Sequence, residues 1–229
     1  MRITFISDTH NKHNQITKDL PGGDLLIHAG DISSMGHRHE IKNFCKWLNG
    51  LDNYTTVVFI AGNHDFGFQD RVLETEEILN SYKWINYLQD DYLSFAPNLN
   101  ELIKVYGSPW QPEFHSWAFN LPRNGNELSE KWNMVPDDVD ILVTHGPAFG
   151  YNDRVVGSYE NLGCQLLTNR IKTIKPKIHV CGHIHTGHGY VFDGDTHFIN
   201  ASVLDEQYQY TQKPLTVEWD QATNNLEFI

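Results

Sequence analysis

Arg2-Ile-Thr-Phe-Ile-Ser-Asp-Thr-His10 gives the pattern from which the chain is read. Its apolar residues stand on neighbouring positions, as in a strand covered on both faces. The run ends in a carboxylate and an imidazole two residues apart. The arrangement then repeats. Leu25–Ala29 leads into Gly30-Asp31, and Thr56–Ala61 into Gly62-Asn-His-Asp65. Ile141–Thr144 leads into His145-Gly146, and Lys177–Cys181 into Gly182-His-Ile-His185. In extended chain, side chains at i and i+2 share a face. Asp8 with His10, and His183 with His185, are therefore expected to converge. The strand ends supply Asp8, Asp31, Asn63 and five imidazoles, His10, His64, His145, His183 and His185. That donor set suits two divalent ions sharing one carboxylate. Asp31 is the natural bridge, because its two oxygens can each meet a different cation. Any one of these blocks alone also reads as a helix cap or a turn, so the weight lies on the ordered set.

Outward from these blocks, Leu102–Tyr106, His197–Ala201, Leu215–Trp219 and Leu226–Ile229 read as further strands. Ile41, Phe44, Cys45 and Leu48 follow helical spacing, with Gly50 as the stop. Leu167, Ile171 and Ile174 form a second stripe closed by Pro176, and Asn126–Met134 is a shorter helix before Pro136. Helices alternate with strands early and strands dominate late. This predicts mixed sheets with flanking helices in one α/β domain over residues 1–229. Gly107–Arg123 differs: Trp110, Phe114, His115, Trp117 and Phe119 stand among three prolines. It reads as an ordered aromatic loop, and Trp110 and His115 are expected to line a substrate pocket.

Hydrophobic residues make up 40% of the 229 and charged residues 20%, which predicts an ordinary folded globule. A net charge of −12 repels polyphosphate backbones and argues against a nucleic-acid partner. Cys45, Cys164 and Cys181 lack CxxC spacing and are odd in number, as expected of buried free thiols in a reducing compartment. No run reaches the ~18 apolar residues that would span a bilayer. The N-terminus enters a strand directly, so a soluble cytoplasmic protein without membrane contact is expected. There is no HExxH helix of a zinc peptidase. His13, His28, His37, His39, His179, His188 and His197 read as structural residues.

The blocks, in this order, resemble the calcineurin-like metallophosphoesterase superfamily, which reads D-x-H, G-D, G-N-H-[DE], H and G-H-x-H. They stand here at Asp8–His10, Gly30–Asp31, Gly62–Asp65, His145 and Gly182–His185. Tyr106-Gly-Ser-Pro-Trp110, Phe119-Asn-Leu-Pro-Arg123 and Thr144-His-Gly-Pro147 resemble the small metallophosphoesterase-domain branch, which is linked to cyclic-nucleotide phosphodiesterases. Some animal members of that branch lack the first histidine of the last block; here it is present as His183. The resemblance implies a metallophosphoesterase-like four-layer sandwich, two mixed β-sheets flanked by helices. It implies one ion on Asp8, His10, Asp31 and His185 and a second on Asp31, Asn63, His145 and His183. It further implies a bridging hydroxide that attacks phosphorus, with Asn63 and His64 on the phosphate and His64 protonating or stabilising the leaving oxygen. Asp65 is expected to hold its turn. The ions implied are two divalent metals (Mn, Fe, Zn, Mg or Ni), with manganese favoured. The protein Ser/Thr phosphatases continue the second block as G-D-x-x-D-R-G. Gly30-Asp-Ile-Ser-Ser-Met-Gly36 lacks the second Asp and the Arg, which argues against that activity. The expected function is hydrolysis of small phosphodiesters, cyclic nucleotides among them. A phosphomonoesterase acting on a nucleotide-like substrate is the alternative. A nucleotide-binding protein with a vestigial site is the non-enzymatic reading.

Overall fold

A computed structural model describes residues 1–98, 101–157 and 160–229. In chain order it contains β1 (Arg2–Ile6), α1 (His13–Ile16), β2 (Gly23–His28), α2 (Arg38–Leu48), β3 (Tyr54–Phe59), α3 (Phe66–Asp70), α4 (Val72–Leu79) and β4 (Ile85–Tyr87). Then come β5 (Asp91–Asn98), β6 (Glu101–Ser108), β7 (Gln111–Pro112), β8 (Asn120–Leu121), α5 (Asn126–Asn133), β9 (Ile141–Thr144) and α6 (Gln165–Ile174). The chain closes with β10 (Ile178–Cys181), β11 (Gly189–Phe192), β12 (His197–Asn200), β13 (Leu215–Asp220) and β14 (Asn225–Phe228).

These strands make two six-stranded sheets, in the orders β14-β13-β1-β2-β3-β4 and β11-β12-β10-β9-β6-β5. Both are mixed. In the first, β1 to β4 run parallel and β13 pairs antiparallel with β1. In the second, β12, β10, β9 and β6 run parallel, and β11 and β5 are antiparallel edges. β7 and β8 form a small separate ribbon inside the aromatic stretch.

The successive apolar residues are explained by layering. Ile3, Phe5, Leu25, Ile27 and Val58 face Val105, Ile141, Val143, Ile178 and Val180 between the sheets. Their neighbours Ile6, Leu26, Val57 and Phe59 point to the other side, against Ile41, Phe44, Cys45 and Leu48 of α2. On the far side, Tyr106, Leu142 and Phe198 pack against Leu128 and Trp132 of α5 and Leu167 and Ile171 of α6. The result is helix, sheet, sheet, helix: the four-layer sandwich that the resemblance implied. Cys45, Cys164 and Cys181 are all free and buried. Among the described residues no helix is long and apolar enough to cross a membrane.

Candidate metal centre

Parallel strands end together, and this brings the motif residues to one place. Ile6 pairs with His28 and His28 with Phe59, so Asp8, Asp31 and Asn63 leave the first sheet side by side. Val143 pairs with Val180, so His145 and His183 leave the second sheet beside each other. A single bridge between Ser7 and Ser202 ties the two sets of strand ends. The chain then turns sharply. Asp8, His10, Asp31 and His183 have φ of 55, 38, 57 and 67°, a region that costs a non-glycine residue roughly 1–2 kcal/mol. Asp8 and His10 therefore converge through a turn, not through the alternation of extended chain. His183 and His185 part company, the first reaching Asn63 and the second Asp8.

Asp31 Oδ2 lies 3.4 Å from His145 Nε2, 3.6 Å from His10 Nε2 and 4.0 Å from His64 Nε2. Asp8 Oδ1 lies 3.5 Å from His185 Nε2. Asn63 Oδ1 is 2.7 Å from His183 Nδ1 and 3.0 Å from His145 Nε2. Three sets of donors have all atoms within 4.8 Å of one another: Asp8, His10 and His185; His10, Asp31 and His64; Asp8, Asp31 and His145. Two ligands each ~2.1 Å from one ion stand ~3.0–4.2 Å apart, according to the angle between them. The four carboxylate-to-imidazole spacings fall in that range, and all are longer than a good direct hydrogen bond.

The far nitrogens are anchored. His10 Nδ1 meets Ser33 O at 3.1 Å, His64 Nδ1 meets Ser34 O at 2.9 Å, His145 Nδ1 meets Ala29 O at 2.9 Å and His185 Nδ1 meets Asp205 O at 2.9 Å. A carbonyl only accepts, so each Nδ1 carries the proton and each Nε2 faces the centre, the orientation a metal-ligating histidine needs. His10 Nε2 is buried with no hydrogen-bond partner. A cation would satisfy it. The residues present thus fit a bound divalent metal.

Charge is arranged to match. Burial opposes ionisation of Asp8, yet His185, His145 and His10 outweigh it and hold the carboxyl well below its usual range. Asp31 is likewise lowered, against burial, by His145, His10 and His64. Burial lowers His145 and His185, but the carboxylates overcome it and push both up to about 9. His10 and His183 go the other way: burial takes them down to about 4 and about 3. Asp65 is buried and pushed up to about 7 by desolvation and by Asp31. It accepts from the N–H groups of Gly62, Ile32 and Ser33 at 2.8, 3.1 and 3.0 Å. These bonds tie the turn after β3 to the turn after β2.

Two glycines leave room for this closeness. A Cβ on Gly62 would stand 2.3 Å from Asp31 Oδ1, and one on Gly182 would stand 2.2 Å from Asp8 Oδ2. No other residue type fits either place without moving a carboxylate.

The calcineurin-like phosphoesterase family matches residues 1–187. The chain belongs to that family. Metallophosphoesterase domain-containing protein 1 of Homo sapiens is 38% identical, over 98% of this chain and 72% of its own length. A UPF0046 protein of Caenorhabditis elegans, T07D4.2, is 38% identical over 94% of this chain and 59% of its own. Among solved structures, TT1561 of Thermus thermophilus superposes with a TM-score of 0.68 at 15% identity, covering 99% of this chain and 97% of that one. A 5′-nucleotidase of Candida albicans gives 0.57 at 15% identity, over 98% of this chain and 48% of that one. At this identity the last two speak for the fold alone.

In this calcineurin-like phosphoesterase a cleft of about 340 Å³ opens beside His183 and His185. Its walls include Phe114, Leu162, Tyr208 and Arg123. Neither Trp110 nor His115 lines it. Trp110 turns inward, donating Nε1–H to Asp90 at 2.8 Å and packing on Phe119, whereas His115 is exposed beside Phe114. A larger polar groove of about 750 Å³ lies over α1 and α2, and none of the eight motif side chains lines it. Sequence reading passed over Trp117, whose ring lies 4.0 Å from that of His64, and Tyr208, 4.8 Å from that of His10. Trp117 stood within the stretch already singled out for its aromatics. Tyr208 stood in no motif; its one local signature is a φ of 57°, visible only in the fold.

Proposed function

We propose that the chain is a metal-dependent phosphodiesterase for small diesters, cyclic nucleotides among the substrates to be tried. One observation carries the metal requirement. Asp31 Oδ2 has three imidazole Nε2 atoms within 4.0 Å, and each ring is fixed by its other nitrogen on a backbone carbonyl. In this reading Asp8, His10, Asp31 and His185 hold one ion, Asp31, Asn63, His145 and His183 hold another, and Asp31 bridges. Bound divalent ions supply a Lewis acid for phosphoryl oxygens and acidify a coordinated water. Asp31 also accepts the His64 N–H at 2.8 Å, which fixes the His64 backbone to the carboxylate assigned as the bridge. His64 holds its Nδ1 proton on Ser34 O, so its Nε2 can carry a second proton to the leaving oxygen. Water gives up one proton to solvent and its oxygen forms the new bond to phosphorus, the ester P–O bond breaks, and the leaving oxygen keeps its electron pair and takes the His64 proton.

The cleft favours a diester. His64 is not among its walls, so the leaving group belongs on the His64 side and the cleft is free for a second ester group, which stays on phosphorus. A monoester has only the leaving group. The test is a panel of p-nitrophenyl mono- and diesters with 2′,3′- and 3′,5′-cyclic nucleotides, run with Mn²⁺ before and after chelation. Diester turnover that vanishes on chelation and returns with metal supports the reading. Faster turnover of monoesters would replace it with a phosphomonoesterase. No metal-dependent turnover on any member would return the chain to a binding role.

A further inference from the structure

Arg123 closes the Phe119-Asn-Leu-Pro-Arg123 segment that the sequence singled out and the chemistry above does not use. It lines the same cleft as His183 and His185. Its Nη1 donates to Leu162 O at 3.1 Å and Gly163 O at 2.8 Å. These two carbonyls fix the guanidinium on the cleft wall, while Nε and Nη2 keep donors to offer. On a chain of net charge −12, no carboxylate among the described residues forms an ion pair with it. Glu206, an exposed carboxylate, also lines the cleft. Phe114 and Tyr208 in the same walls are 47% and 41% exposed, large apolar surface left open beside a polar centre. Phe114 stands edge-on to His183 with ring centroids 5.7 Å apart, and Tyr208 stands edge-on to His185 at 5.4 Å. Tyr208 holds this place at the strained φ of 57°, and strain of this kind collects at ligand clamps. A flat apolar linker suits contact with such exposed rings. A fixed guanidinium with free donors fits a carboxylate or phosphate oxygen pair.

We propose that Arg123 is an oxyanion subsite, and that the ester group retained on phosphorus is a planar group carrying a second carboxylate or phosphate. The inference rests on the phosphodiesterase reading for its substrate, but the subsite can be tested without turnover. It sets apart a singly charged cyclic nucleotide, which has no second anion to give.

The experiment uses the Mn²⁺-loaded full chain and two diesters with the same p-nitrophenolate leaving group. One retains a phenyl group and the other a carboxyphenyl group, supplied as 3- and 4-isomers. The wild type is expected to favour the better carboxyphenyl ester by about tenfold or more in kcat/KM, carried by KM, as for a charged hydrogen bond. Arg123→Gln should bring that ratio to about one, and Arg123→Lys should restore part of it. A ratio near one in the wild type, or a ratio that survives Arg123→Gln, overturns the subsite. So does an equal loss on both esters with the ratio intact, which would make Arg123 only a clip between two loops. Calorimetry with phenylphosphonate and the carboxyphenylphosphonates measures the same ratio in binding. Should neither ester be turned over while the binding preference appears and depends on Arg123, the phosphodiesterase reading fails and the subsite stands. No binding preference overturns the subsite whatever the turnover.

Discussion

His64 is held from three directions. Its Nδ1 is on Ser34 O, its ring lies 4.0 Å from Trp117 at 30°, and its edge meets His10 at 4.6 Å. His64 thus has one pose, with Nε2 towards Asp31. His64→Ala should keep both metal equivalents and lose ~10²–10⁴ in kcat, the usual worth of a placed general acid. Trp117→Leu should keep metal too and lose less, with kcat falling more than KM rises, because the ring stays but is no longer held. Metal analysis beside steady-state kinetics decides both; metal loss from folded His64→Ala would make His64 a ligand. Asp31→Asn is the contrasting residue. A neutral amide bridges poorly, so both equivalents should drop together, and two full equivalents in that variant would remove Asp31 as the bridge. At this scale the side-chain types were legible in the sequence because each follows an apolar run at a strand end. The ring contacts were not, since Trp117 and Tyr208 reach His64 and His10 from distant parts of the chain. Trp110 shows the limit from the other side. An aromatic beside the site reads as pocket in sequence, yet the Asp90 acceptor and the Lys131 ammonium 4.5 Å over its ring draw it inward.

The elements that carry these residues are strands buried on both faces, and that burial is why they could be read. Leu25–Ala29 and Ile141–Thr144 have apolar residues on both layers, whereas the edges do not. β11 offers only the short run Tyr190-Val191-Phe192, which is 38–46% exposed, and β5 alternates Tyr92 outward with Leu93 inward. α4 buries only Thr75 and Ile78 and has no stripe to read, unlike α2 with four apolar residues on one face. What the strands do for the centre depends on the turns after them, and Gly182 is the sharpest case. An added Cβ would stand 2.0 Å from Ser7 Oγ as well as 2.2 Å from Asp8 Oδ2. Gly182→Ala must push β1's end away from β10's. The expected result is a loss of ~1–3 kcal/mol in stability, as for other overpacked sites. A fall in metal affinity larger than that of a surface control should accompany it. Chemical unfolding and metal titration measure the two effects. An unchanged metal affinity would mean that Asp8 is not a ligand, or that the turn yields more easily than its crowding suggests.

For the whole molecule the buried histidines set how stability follows pH, and metal should cancel part of it. Burial lowers His10 and His13 to about 4 and His28, His179 and His183 to about 3, from an ordinary 6.5. Between those values the unfolded chain binds more protons than the folded one, so stability rises with pH up to about 6.5. His145 and His185 are the opposite case. Their folded values near 9 lie above 6.5, so the stability from their ion pairs is complete below 6.5 and is lost as pH climbs through 9. Metal-free protein should therefore be most stable near pH 6.5 and decline on both sides. A divalent ion needs neutral imidazole, so its binding at pH 7 to 8 displaces the His145 and His185 protons and tightens as pH rises. Metal at a hundred times its Kd at pH 6.5 adds ~2.7 kcal/mol there, and at the same metal concentration that increment should grow towards pH 9 while the metal-free protein weakens. Thermal melts at both pH values, with Mn²⁺ and with chelator, should show Tm nearly level in the first series and falling with alkali in the second, because the metal-bound fold and the unfolded chain both carry these imidazoles neutral above 6.5. Calorimetry of Mn²⁺ binding in buffers of different ionisation enthalpy should count close to two protons released at pH 7.5. Zero protons released, with parallel melting curves in the two series, would mean that neither histidine gives up a proton to a metal.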